Sequence, residues 1–96
     1  MSSDMSESST TYKVIIRPAA QRALRRVDRP IQRRLANAMA DLATDPRPAG
    51  TKALQGHRPL LRVRVGDYRI VYEVRDSELV VFVVTLGHRS QVYDRL

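Results

Sequence analysis

The chain has 96 residues, enough for one small domain and too few for separate cofactor and substrate lobes. Its 17 Lys and Arg outnumber 10 Asp and Glu for a net charge of +7, and the absence of cysteine excludes a disulfide framework or a thiolate zinc site. No apolar run approaches the roughly 20 residues of a membrane-spanning helix, and Met1–Thr11 lacks the apolar core of a secretory signal. A cytoplasmic protein without membrane contact is expected.

Residues 1–11 are Ser-rich, carry Asp4 and Glu7 and no base, and read as a disordered tail. The folded domain is placed at residues 12–96, with 17 basic against 8 acidic residues, or +9. Fifteen of the bases are Arg, whose planar fork suits phosphate and carboxylate. A nucleic-acid partner, an acidic protein partner and a merely solvated basic surface all fit that composition.

The β-branched stretch Tyr12–Arg17 predicts a first strand. Pro18 suits the first turn of a helix, whose apolar face is Ala20, Ala23, Leu24 and Val27. Asp28 is placed as the N-cap of a second helix with Pro30 in its first turn. Ile31, Leu35, Ala38, Met39 and Leu42 form its stripe, and Asp45-Pro46 stops it. These segments make a helical hairpin. Asp45–Pro59, with three prolines and two glycines, reads as a loop. The period then changes to two. Leu60–Val65 and Tyr68–Val74 are strands joined by a Gly66-Asp67 turn, and Asp76-Ser77 leads into Leu79–Leu86. That last strand is apolar on both faces and belongs inside the sheet; Gly87–Ser90 ends it. The expected fold is α+β: a small single domain with an N-terminal strand and helical hairpin packed on an antiparallel sheet.

A two-residue turn at Gly66-Asp67 sets Val65 opposite Tyr68, Arg64 opposite Arg69, Val63 opposite Ile70 and Leu61 opposite Tyr72. Arg62, Arg64 and Arg69 then share the face away from the helices. A two-residue turn at Asp76-Ser77 would pair Tyr72 with Val81 and Arg69 with Val84, extending the arginine face over Val71, Phe82, Val84 and Leu86. Like charges directly opposed on a sheet are destabilising. Either Asp67 or Glu73 neutralises them, the heads splay into water, or the cluster is a site.

Familiar catalytic sets are missing. Four scattered glycines build no phosphate loop. His57 and His88 lack ligand-spaced partners, so neither metal nor cofactor is expected. What remains is Arg62, Arg64, Arg69, His88, Arg89 and Tyr93, with Lys52 and His57 at the margin. Arginines suit a reaction in which negative charge builds on a phosphate, histidine moves protons near neutrality, and tyrosine stacks on a splayed base. RNA cleavage through the ribose 2′-OH is such a reaction.

The order strand–helix–helix, R-x-R-x-G-D-Y-R-I-V-Y at Arg62–Tyr72, an apolar strand and G-H-R-S-x-V-Y at Gly87–Tyr93 resembles the RelE branch of the RelE/ParE toxin superfamily, over Tyr12 to Tyr93. The resemblance implies a toxin that cleaves mRNA in the ribosomal A site and is neutralised by a cognate antitoxin, with mRNA and ribosomal RNA as its other partners. It implies that Arg69 stabilises the scissile phosphate, Arg89 contacts phosphate or assists the leaving group, and Tyr93 stacks on or orients the nucleotide. Arg62 and Arg64 stand where RelE-type relatives carry lysines. Arginine stays charged, so they fit electrostatic clamps, with Lys52 as a further RNA contact. His88 becomes the substitute acid or base. Two other classes share these features: a ParE-like noncatalytic inhibitor of DNA gyrase, and a basic module that binds nucleic acid nonspecifically.

Overall fold

The computed structural model describes residues 11–56 and 59–92. The tail expected at 1–11 lies outside the described residues, save for Thr11. Lys13–Ile16 forms strand β1, and Pro18 opens helix α1 (Pro18–Arg25) from an extended Arg17. Proline costs nothing there, because the N–H it lacks would have no partner in a first turn. Arg22 and Arg25 lie in the last turn, at the negative end of the helix dipole. Asp28 is the N-cap of α2 (Arg29–Asp41), but its carboxylate makes no capping hydrogen bond. Gln32 ties the hairpin instead, its side-chain amide donating to the Leu24 carbonyl at 2.9 Å. Helix α2 ends at Asp41, short of the expected Asp45-Pro46 stop. The chain continues through turn bonds such as Thr44 N–H to the Asp41 carbonyl.

Four more strands, β2 (Lys52–Ala53), β3 (Leu60–Val65), β4 (Tyr68–Arg75) and β5 (Val80–His88), complete a five-stranded sheet in the order β1-β5-β4-β3-β2. Two expectations are corrected here. The segment read as a continuous loop contains β2, which pairs with β3 through Lys52–Arg62 and Ala53–Leu61. The sheet is not wholly antiparallel, since β1 joins its edge parallel to β5. Two residues give no period to read, and the direction of an edge strand is a long-range matter.

Helix α1 packs on β5 and α2 on β3. The core joins Ala20, Ala23, Leu35, Met39 and Leu42 to Val63, Ile70, Tyr72, Val81, Val83 and Leu86 on one face of the sheet. Each large apolar side chain fully buried this way contributes about 1.5–3 kcal/mol. Tyr72 is fully buried, and its hydroxyl donates to the Pro46 carbonyl at 2.7 Å and lies 3.3 Å from Thr51 Oγ1. That pins the proline-rich loop to the sheet; burial pushes the Tyr72 phenol pKa up. Among the described residues no helix is long and apolar enough to cross a membrane.

The β3–β4 register is the expected one, from Leu61–Tyr72 through Arg64–Arg69 to Val65–Tyr68. The β4–β5 register is not. Asp76-Ser77 carries no glycine for a two-residue hairpin, and the turn runs on through Leu79, which takes a left-handed φ of 55°. Arg75 therefore pairs with Val80, and Tyr72 with Val83 rather than Val81. A bulge follows between Val71 and Tyr72: Val71 pairs with Thr85, leaving Val84 as the extra residue, and Arg69 pairs with Gly87 rather than Val84. The extra residue turns Leu86 into the core, so it is not part of the arginine face, and carries the strand on through Gly87 and His88.

Asp76 braces this turn. Arg47 donates two bonds to its carboxylate, at 3.1 and 3.0 Å, and the Tyr12 hydroxyl a third at 2.7 Å. The Arg47 bonds and then the Tyr12 bond hold the Asp76 carboxyl below its usual range. Its contribution to stability is therefore present above the unfolded-state value of about 3.9 and is lost as pH falls through the lower folded value. Thermal melts should show wild type ahead of Asp76→Asn at neutral pH, with the gap closing as the buffer is taken below about pH 4. Leu79 is exposed and carries a left-handed backbone. Leu79→Gly should raise the unfolding free energy by up to ~1 kcal/mol in urea titrations, because glycine adopts that conformation without steric cost.

Candidate nucleic-acid interface

Strand alternation places the cations. Ile70 and Tyr72 face the helices, so Arg69 and Val71 face away, and the pairing carries that face across the sheet. Lys52 is paired with Arg62, Arg62 with Val71 and Val71 with Thr85; in the next row Arg64 is paired with Arg69 and Arg69 with Gly87. Arg62, Arg64 and Arg69 thus share one face, as expected, and the β2–β3 pairing adds Lys52 to it. Lys52 and Arg64 are exposed, and Arg62 and Arg69 half-buried.

Nothing among the described residues neutralises them. Glu73 shares their face but is held by Arg75 at 2.7 Å, which raises the pKa of that guanidinium, and the other ion pairs are Arg47–Asp76 and Arg75–Glu78. Asp67 forms no ion pair among the described residues; its carbonyl accepts the Arg89 backbone N–H at 2.8 Å. That bond fixes the chain just past β5 and sets the exposed Arg89 beside the β3–β4 turn. Arg69 donates only a long bond, 3.4 Å, to the Tyr68 carbonyl. The buried Thr85 hydroxyl, in the Arg62 row, has no hydrogen-bond partner among the described residues.

His88 is not on this face. It pairs with Tyr68 at the end of the sheet, on the side of the helices, and their rings meet edge to face with centroids 5.7 Å apart. Its Nδ1 lies 3.0 Å from Ser90 Oγ. The structure brings Lys52, Arg62, Arg64 and Arg69 together and puts His88 across the sheet from them, the result of the Val84 bulge. Tyr93 and His57 lie outside the described residues. The sequence reading also passed over a stack on the open face: Arg17 and Arg75 lie 4.8 and 4.7 Å from the ring centre of the half-buried Phe82. Only the pairing of β1 with β5, which sets Ile15 opposite Phe82, brings Arg17 there.

A family model described as the ParE toxin of type II toxin–antitoxin systems, parDE, matches residues 14–93. The chain belongs to the RelE/ParE toxin superfamily. A RelE-like toxin protein of Escherichia coli is 30% identical over 87 residues, 86% of this chain and 90% of its own length. The RelE–RelB complex of the archaeon Pyrococcus horikoshii OT3 superposes with a TM-score of 0.74 at 29% identity, covering 84% of this chain and 98% of the other. The RelBE2 toxin–antitoxin complex of Mycobacterium tuberculosis gives 0.71 at 26%, covering 84% and 94%. The toxin is thus a type II toxin with RelE-like structural neighbours, and both complexes named above were solved with antitoxin.

The opposed Arg64 and Arg69 generate a stability test on this toxin. Arg64→Glu replaces a like-charge pair with an opposite one and should stabilise the fold by about 0.2–1 kcal/mol in denaturant titration. The gain should shrink in high salt.

Proposed function

We propose that this toxin is a ribosome-dependent endoribonuclease that cleaves mRNA in the ribosomal A site, in the cytoplasm, and is held inactive by a cognate antitoxin. The observation that carries the reading is the open sheet face, where Lys52, Arg62, Arg64 and Arg69 gather without an ion-pair partner among the described residues. Attack of a ribose 2′-OH on the adjacent phosphorus forms the O2′–P bond and breaks the bond to the 5′-oxygen, leaving a cyclic phosphate and a 5′-OH. The pentacoordinate state gathers negative charge, which guanidiniums already in place stabilise without reorganising. Arg69 holds the scissile phosphate, Arg62 and Arg64 clamp the strand with Lys52 at its edge, Arg89 contacts phosphate or assists the leaving group, and Tyr93 stacks on or orients the nucleotide. A proton must leave the 2′-OH and another reach the 5′-oxygen. Imidazole suits that exchange near neutrality, and His88 is the one imidazole among the described residues.

The RelE relatives solved as complexes with RelB support an antitoxin partner here. The half-buried Phe82 and Val84 beside arginines suit an amphipathic segment with acidic side chains. The ParE description of the matching family favours a second reading, a noncatalytic gyrase inhibitor on the same fold.

Single-turnover cleavage on programmed ribosomes tests the choice. His88→Ala should slow cleavage by about 10²–10⁴ while ribosome affinity holds. Arg69→Ala should lower both, and affinity should fall steeply with salt as counterions are released. Wild-type cleavage by His88→Ala would remove histidine from the mechanism. Full toxicity with no cut mRNA 5′ ends would favour gyrase inhibition.

A further inference from the structure

On its own side of the sheet His88 stands in a second polar setting. A cleft of about 220 Å³ opens between the end of α1 and the end of the sheet, lined by Arg26, Val27, Tyr68, Gly87, His88 and Gln91 among others, none of them acidic. Arg26 caps α1 through its backbone, and its exposed guanidinium enters no ion pair among the described residues. The Ser90 backbone N–H donates to His88 Nδ1 at 3.4 Å. Ser90 thus engages Nδ1 through both its hydroxyl and its backbone. The Tyr68 ring, at 82° to the imidazole, fixes its plane. Gly87 belongs to both sides: it lines the cleft and pairs with Arg69.

We propose that this cleft binds the phosphate next along the RNA from the one held by Arg69, with Arg26 as its ligand, Tyr68 as its wall and the His88 ring at its edge. The proposal rests on the endoribonuclease reading and adds Arg26 and Tyr68 to the substrate-binding residues. A strand bent over the sheet end at Gly87 offers consecutive phosphates to the two faces. That path brings an imidazole on the helix side to a reaction centred on arginines of the open side.

The test is an NMR titration of the free toxin with adenosine 3′-monophosphate, following the His88 ring resonances. Saturable shifts are expected, weakened about tenfold by Arg26→Ala and largely retained in Arg26→Lys and Tyr68→Phe. Arg33→Ala, which removes an exposed helix charge outside the cleft, should bind like wild type. His88 resonances that stay still, or that shift with equal affinity in Arg26→Ala, would overturn the proposal. Equal affinity for inorganic phosphate would overturn the assignment to a nucleotide. No ribosome is present, so a failure of mRNA cleavage would count against the endoribonuclease reading and leave this measurement standing.

Discussion

Ile70 and Tyr72 are fully buried against the helices, and a strand that buries those two must turn Arg69, Val71 and Glu73 the other way. The tight Gly66-Asp67 turn hands the same constraint to β3, where Val63 goes inward and Arg62 and Arg64 outward. The cluster of cations is in this sense dictated by the core. Opposing Arg64 to Arg69 costs about 0.2–1 kcal/mol, whereas each large side chain buried beneath them contributes about 1.5–3 kcal/mol. The core wins, and the repulsion remains on the surface.

The Val84 bulge is the second decision the fold makes. Val81 and Val83 face the helices, and uninterrupted alternation would send Thr85 and Gly87 after them. The bulge sends Leu86 into the core instead and turns Thr85 to the open side. One inserted residue thus replaces a hydroxyl with a leucine among apolar neighbours, a favourable exchange. It also sets which side of the sheet receives His88, so the division of polar groups between the two faces follows from a packing preference.

What the sequence disclosed and what it hid divide along the range of the forces involved. Period and turn chemistry are local, and they placed β1, the two helices and the β3–β4 hairpin, hence the face shared by Arg62, Arg64 and Arg69. Lys52 joined that face by a pairing too short to show a period. The β4–β5 turn misled because Asp76-Ser77 looks like a complete turn, while the bonds of Asp76 to Arg47 and Tyr12 hold a longer one from distant parts of the chain. The bulge leaves no mark in a run as uniformly apolar as Val80–Val84. The position of His88 at the end of the last strand was therefore legible, and its face was not. Arg26 at the end of α1 and Tyr68 at the start of β4 come together with it only in three dimensions.

The parallel pairing of β1 with β5 sets the order in which the molecule can be completed. Every partner in that ladder, from Lys13–Val80 to Ile16–Val83, is separated by 67 residues of chain. During synthesis the first strand emerges with its hydrogen-bonding edge unmatched, while the helices and the β3–β4 hairpin can form from neighbours already made. Closure waits for the last strand, so the toxin passes through an interval with an open β5 site beside its helices. Timing, as well as shape, thus governs when this protein first becomes whole.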